Sequence, residues 1–452
     1  MHLFPNFPHL PHPAHLPAML PLHDILLTQK REIDAQLADA FIPRTSAPNP
    51  DAADLIRVIT GPRRAGKSSF AAHLAAHETR ERGNKTFGYA NFDDERLASL
   101  DDYDALLAAI DTLHGKPRLL FLDEIQNLPR WELFVNRLHR SKRRLILTGS
   151  NAHLLSSELA THLTGRHLAL PLLPFSFREY LDAKTASPPA APAPAPALTQ
   201  TETAELCRAY ATGGGFPEPV LKNLSRDAYL KTLLHAVLFK DIVGRHRIRA
   251  TRALEDMVTF LLSNTGSEYS YATLATLLGS RSDNTVRKYL GYLEQTYLLF
   301  SVPRFSWKVR EQAAFNKKAY AIDNGLATAA GFHFSAGLGK LYENMVAIAL
   351  HRRQLLGASR LYYWKNAQQE EVDFVQQTGR RVTALIQVCT DATAPKTRDR
   401  EMRALLKASQ DLRCDNLQLL TETESGEETL AWHGAKRKIT LAPISRWLLE
   451  ND

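Results

Sequence analysis

The run Gly61-Pro62-Arg63-Arg64-Ala65-Gly66-Lys67-Ser68 has the residue types that hold phosphate. Glycines at its two ends let backbone N–H groups turn inward around an anion, as a P-loop requires. Lys67 brings a compact cation to the outer phosphates, and Ser68 a hydroxyl for Mg²⁺. With Ser69 these residues form the expected nucleotide contact set, and the expected ligands are ATP and Mg²⁺. Downstream, Leu119-Leu120-Phe121-Leu122 is an apolar run that ends in Asp123-Glu124. After a P-loop, hydrolysis needs a metal ligand and a group that polarises water. Asp123 suits the first role and Glu124 the second. A further apolar run, Leu145 to Thr148, ends in Gly149-Ser150-Asn151, so Ser150 or Asn151 is expected to reach the γ-phosphate or the water. Arg166 reads either as an arginine finger for the transition state or as a surface arginine.

These groups need elements that bring them to one edge. Leu55–Thr60 reads as a strand and Lys67–Glu78 as an Ala-rich helix whose N-terminal dipole end faces the phosphates. Phe87–Phe92, Leu119–Leu122 and Leu145–Thr148 read as further strands. Strands alternating with helices predict a parallel sheet covered on both faces, with ligands bound along one edge. Upstream, Leu26, Ile33, Leu37 and Phe41 fall on one face of a helix over Asp24–Phe41.

The chain has 452 residues, 44% hydrophobic and 23% charged, which fits a soluble protein of more than one domain. Its apolar runs are too short to span a bilayer, and its Pro/His-rich start lacks the pattern of a secretion signal. Cys207, Cys389 and Cys414 lie far apart, with no zinc or redox spacing, so a reduced cytoplasmic setting is expected. The net charge is +8, and between Arg245 and Lys318 there are twelve Lys/Arg against six Asp/Glu. Such a basic segment points toward nucleic acid, although a solvated surface gives the same count.

Several longer phrases carry a resemblance. They include Val58 to Ser68, Phe121 to Gln126, Leu147 to Asn151, Leu163 to Arg166, Leu173 to Tyr180, Gly214 to Glu218, Phe239 to Val243 and Glu371 to Val375. From about residue 24 onward the chain resembles the prokaryotic AAA/ASCE-type P-loop ATPases that carry a C-terminal domain of unknown function. The resemblance implies an ATPase core, a winged-helix middle and a nuclease-like last domain. It also supports the roles of Asp123, Glu124, Asn151 and Arg166. The expected fold is thus an α/β P-loop NTPase sheet, then an α-helical/winged-helix domain, then a restriction-endonuclease-like α/β domain. The expected organisation is a disordered Pro/His tail (1–22), the ATPase core (23–183), an Ala/Pro linker (184–200), a helical connector (201–252), the winged helix (253–325) and the nuclease-like domain (326–452).

In the middle segment, helices over Leu254–Leu262, Tyr271–Gly279 and Asn284–Leu298 precede an extended wing over Phe300–Ala321 that carries Arg304, Lys308 and Arg310. Arg281, Asn284, Arg287 and Lys288 are the candidate DNA contacts. A winged helix used only as a packing lid is the competing reading. In the last domain, Glu343, Asp373 and Gln387 match the positions of a restriction-endonuclease-like active site. Cys389 stands where a lysine belongs, and Lys396 is a poor substitute, so that site is expected to be vestigial. The protein is therefore expected to be a Mg²⁺-dependent ATPase acting as a DNA-associated switch or motor. The alternative is a regulatory switch with a protein partner. A homo-oligomer is compatible with both, and no membrane association is expected.

Overall fold

The computed structural model describes residues 21–45, 55–83, 86–149, 165–185, 198–222, 224–280, 282–330, 337–433 and 435–451. Ser150, Asn151 and Arg281 lie outside these residues, as do 1–20 of the expected tail and 186–197 of the expected linker. Helices border that linker: one runs to Thr185 and the next starts at Gln200.

The first layer system begins with α1 (Leu22–Ala38), which starts inside the segment expected to be tail and buries Ile25, Leu26 and Ile33. It continues through β1 (Ile56–Thr60), α2 (Lys67–Glu81), β2 (Gly88–Asn91), α3 (Tyr103–His114), β3 (Leu119–Asp123), α4 (Trp131–Arg140), β4 (Arg144–Gly149) and β5 (His167–Pro171). The strand order is β2-β3-β4-β1-β5, with every pairing parallel. All residues of β1 and β3 are buried, as expected when helices cover both faces. Two apolar clusters lie on this sheet, one around Leu120, Leu122 and Leu147, the other around Ile59, Phe121 and Ile146. They are the two faces produced by period-2 alternation. This is the P-loop NTPase arrangement: β4 lies between β1 and β3, so the tips of these three strands are neighbours.

Helices α5 (Phe177–Thr185), α6 (Gln200–Gly213), α7 (Pro217–Leu221) and α8 (Arg226–Ala236) form the connector. Thr199 and Glu202 make a reciprocal capping box at the start of α6. The axis of α8 runs on into a π-helical segment, Val237–Gly244.

Next come α9 (Thr251–Ser263), β6 (Ser267–Tyr269), α10 (Tyr271–Leu277), α11 (Asp283–Gln295), β7 (Leu299–Pro303), α12 (Val309–Ala314) and β8 (Lys317–Ala321). The three strands form an antiparallel sheet, β6-β8-β7. Leu254, Val286, Leu290 and Leu293 are buried. The stretch expected to be an extended wing holds a helical turn, α12, between its two strands. The remainder comprises α13 (Asn324–Ala330), α14 (Leu338–Leu355), β9 (Arg360–Lys365), β10 (Glu371–Thr378), β11 (Arg381–Val388), α15 (Pro395–Leu412), β12 (Leu417–Thr421), β13 (Gly426–Trp432), β14 (Ala435–Pro443) and α16 (Ile444–Asn451). It is a mixed six-stranded sheet of order β13-β14-β12-β11-β10-β9.

One cluster of buried side chains runs from Phe175 and Tyr210 through Leu262 and Leu293 to Val346 and Trp447. Connector, middle and last segments therefore share a core. The Phe305 amide donates to the Tyr363 carbonyl at 2.7 Å, which ties the end of β7 to the β9 edge of the last sheet. No helix among the described residues is long and apolar enough to cross a membrane.

Candidate functional site

The turn after β1 depends on Gly61. Its φ of +153° and its closeness to Leu172 leave no room for a side chain: a Cβ there would lie 2.0 Å from the Leu172 carbonyl oxygen. Gly66, with φ +88°, caps α2, whose first residue is Lys67. The Lys67 side chain is buried. Its ammonium donates to the carbonyls of Gly61 at 3.1 Å and Pro62 at 2.9 Å, and burial lowers its pKa. Arg44, brought from the segment after α1, braces the loop. It donates to the Ala65 carbonyl at 3.0 Å and pairs with Glu179 of α5 at 3.0 Å.

At the neighbouring strand tips, the Ser68 hydroxyl donates to Asp123 Oδ1 at 3.1 Å, and the Thr148 hydroxyl donates to the same oxygen. The Glu124 amide donates to the Thr148 hydroxyl at 2.9 Å. Glu124 has left-handed backbone angles (φ 48°), and its carboxylate accepts from the Gln126 side chain. Burial raises the Asp123 carboxyl to about 6, against the opposing hydrogen bonds from Thr148 and Ser68. A hydroxyl and a carboxylate 3.1 Å apart form a hard-oxygen donor set that fits Mg²⁺.

A cavity of about 690 Å³ opens here. Lys67, Ser68, Asp123 and Glu124 line it, together with the apolar Phe41, Ile42, Pro217 and Leu221. A lining of both polar and apolar side chains suits a ligand with phosphates and a base. Of the expected nucleotide-site residues, Arg63, Arg64, Gly66 to Ser69, Asp123 and Glu124 line this one cavity. Thr148 was not foreseen. It ends an apolar run on the ligand edge, which is a usable signal, but the same run continues to the more obvious polar candidates Ser150 and Asn151, outside the described residues. Arg166 is exposed before β5, and its carbonyl accepts from the Ile56 amide at the start of β1. The P-loop follows the other end of that strand, about 16 Å away. Arg166 does not reach the phosphate site of its own chain.

The middle segment also touches this site: the Tyr297 hydroxyl donates to Thr60 Oγ1, just before the P-loop, at 3.1 Å. On α11, Asn284, Arg287 and Lys288 are all exposed. The Arg287 guanidinium lies 4.2 Å from the centre of the Tyr271 ring. Arg304, expected on a wing, is turned inward. It stacks on Phe315 and donates to the Lys365 carbonyl.

In the last sheet, Glu343 and Asp373 converge, and Gln387 bonds the Asp373 amide at 3.0 Å. Lys396 is exposed. The cation shared by these carboxylates is Lys318, from β8, a residue that no motif marks in the sequence, and Lys340 lies 2.7 Å from Glu343. The buried Lys318 ammonium lies 3.1 Å from Glu343, 2.6 Å from Glu371 and 3.3 Å from Asp373. Burial would raise the Glu343 carboxyl, but Lys318 and Lys340 outweigh it and hold it below its ordinary value. Burial and then the Glu343 charge push Asp373 up to about 7.

Residues 54–181 match the AAA domain family. Residues 204–339 match a domain of unknown function, DUF8612, and residues 338–436 match another, DUF4143. An uncharacterized protein of Methanocaldococcus jannaschii is 32% identical over 405 residues, covering 87% of this chain and 88% of that protein. An uncharacterized protein of Haemophilus influenzae is 28% identical over 311 residues, covering 66% of this chain and 75% of that protein. Among solved structures, AMPPCP-bound DnaA from Aquifex aeolicus is 12% identical, covering 59% of this chain and 87% of that one, with a TM-score of 0.28. C. elegans PCH-2 is 16% identical, covering 48% of this chain and 61% of that one, at 0.27. Scores this low carry no argument for this chain. The relationship to the M. jannaschii protein extends through the nucleotide loop and both later segments, and the chain belongs to that family, in which an AAA-type P-loop domain is joined to C-terminal domains of unknown function.

Proposed function

We propose that the chain binds ATP in the 690 Å³ cavity and hydrolyses it. The observation that carries this reading is the hydrogen-bonded series Ser68–Asp123–Thr148–Glu124 at the tips of β3 and β4, beside the P-loop. Lys67 exchanges the Gly61 and Pro62 carbonyls for phosphate oxygens, and the α2 N-terminus adds its dipole. Ser68 and Asp123 hold Mg²⁺, which neutralises phosphate charge when bound. Glu124 accepts a hydrogen bond from the attacking water and orients it. The test is ATP turnover and binding in Lys67→Ala and Glu124→Gln: the first loses binding, and the second binds but does not turn over. Wild-type turnover rates in both variants would overturn the assignment. Arg166, exposed at the far end of β5, serves a neighbouring subunit's site, so specific activity rises with protein concentration.

The order helix, strand, two helices and strand pair from α9 to β8 supports a winged helix, and the exposed Asn284, Arg287 and Lys288 support DNA as its partner. A different observation favours the protein-partner reading: Trp307 and Val309 are 58% and 78% exposed. Pull-down of a stable protein partner in nuclease-treated extract, with no gel shift on duplex DNA, decides for the second. The last domain is read as not cleaving nucleic acid: a lysine does stand at its carboxylates, but Lys318 is buried and ion-paired with Glu343, Glu371 and Asp373, so its charge is spent on them rather than open to a phosphate. Plasmid nicking with Mn²⁺ tests this.

A further inference from the structure

The P-loop holds a second cation, and it has a dedicated partner. Arg63 Nε lies 3.0 Å from Asp241 Oδ2, and Nη2 lies 2.9 Å from Oδ1, a two-point pairing. Arg63 lines the nucleotide cavity and Asp241 does not, so the aspartate stands behind the arginine as seen from the ligand. Two of the five guanidinium N–H donors face Asp241, which leaves three for another anion. Glu124 and Asp93 lie close enough for their charges to act on Arg63, after its bond to Asp241. Arg63 and Glu124 both line the cavity.

Asp241 comes from the Val237–Gly244 segment, whose wider π-helical turn is uncommon and tends to mark functional positions. Val237, Leu238 and Ile242 of that segment are buried in the shared core. The carboxylate is therefore anchored by packing, 178 residues away in sequence from the arginine it holds.

We propose that Arg63 is a catalytic residue, the chain's own arginine for the terminal phosphate of ATP, and that Asp241 is its positioning residue. This rests on the ATPase reading above. As the bond from the terminal phosphorus to the bridging oxygen breaks and water attacks, negative charge spreads over the phosphoryl oxygens. Arg63 meets that charge through its free N–H groups, and the planar fork held by Asp241 does not have to reorganise. A lysine lacks that fork.

The experiment measures steady-state ATP hydrolysis, binding of a fluorescent ATP analogue and thermal melting for wild type, Arg63→Ala, Arg63→Lys, Asp241→Asn and Asp241→Glu. Arg63→Ala is expected to lower kcat on the order of 10³-fold while analogue binding changes less than about threefold. Arg63→Lys does not rescue it. Asp241→Asn lowers kcat roughly 10- to 100-fold with KM and melting little changed, and Asp241→Glu recovers part of the loss. Wild-type kcat in Arg63→Ala or Asp241→Asn overturns the proposal, and so does loss of analogue binding in step with the rate. If the wild type itself hydrolyses no ATP, the underlying ATPase reading fails first, which separates the two failures.

Discussion

Ser68 and Asp123, 55 residues apart in sequence, meet at 3.1 Å between hydroxyl and carboxylate. With both groups proposed as Mg²⁺ ligands, Mg²⁺ binding depends on the Asp123 proton. Burial raises this carboxyl to about 6, so above that pH it is ionised and able to hold the cation, and below it a proton competes. In the presence of ATP, the apparent Mg²⁺ affinity is expected to level off above pH 6 and to fall up to about tenfold per pH unit below it. Asp123→Asn binds Mg²⁺ weakly and serves as the reference for the titration of ATP itself. Parallel titrations of wild type and variant between pH 5 and 8 count against this role.

The Gly61 position tolerates no side chain. Gly61→Ala forces a methyl group against the Leu172 carbonyl, where a Cβ would sit at 2.0 Å. Unfolding in denaturant should show a loss on the order of 3 kcal/mol, with nucleotide binding lost as well. Gly291, inside α11, where an added methyl group would meet only the Gln295 side-chain nitrogen at 4.0 Å, is the control for a tolerated site.

Lys318 neutralises a buried acidic cluster. Lys318→Met leaves Glu343, Glu371 and Asp373 without it and should cost about 3–5 kcal/mol. The pH dependence has a definite sign. Asp373 has a folded pKa of about 7, above its ordinary 3.8, so its contribution favours folding at low pH and is lost as pH rises through 7. Protonated Asp373 needs no counter-cation. The gap between wild type and variant should therefore be wider at pH 8 than at pH 5.5, and equal gaps would remove Lys318 from this role.

If α11 faces DNA, Arg287→Ala/Lys288→Ala should weaken duplex binding and reduce the slope of log affinity against log salt by about 2. The change is expected on any duplex sequence, because these cations meet phosphate. Unaltered affinity at low salt would leave α11 as a solvated helix face.

The legible parts of the site were those written in consecutive residues. Gly61 to Ser69 and Asp123-Glu124 each combine an apolar strand with polar residues at its end, and a parallel sheet brings such ends together whatever lies between them. The pairings of Arg63 with Asp241 and of Lys318 with Glu343 were not legible. Neither Asp241 nor Lys318 stands in a recognisable sequence motif, and the choice of partner arises from how the Val237–Gly244 segment and β8 pack. The same applies to Arg304. Its spacing between β7 and α12 reads as an exposed wing, yet Phe315 and the Lys365 carbonyl draw it in. Helix α12 itself is short enough for a window of extended residues to hide it.

Glu124 is held at φ 48°, in a backbone region that side chains with a Cβ enter only at a cost of roughly 1–2 kcal/mol. Asparagine visits that region more readily, and glycine without a steric penalty. Evolution toward thermal resistance alone would thus drift away from glutamate at this position, and Glu124→Asn or Glu124→Gly should melt at a higher temperature than the wild type while losing turnover. The strained residue is where fold stability and turnover make opposite demands on this chain.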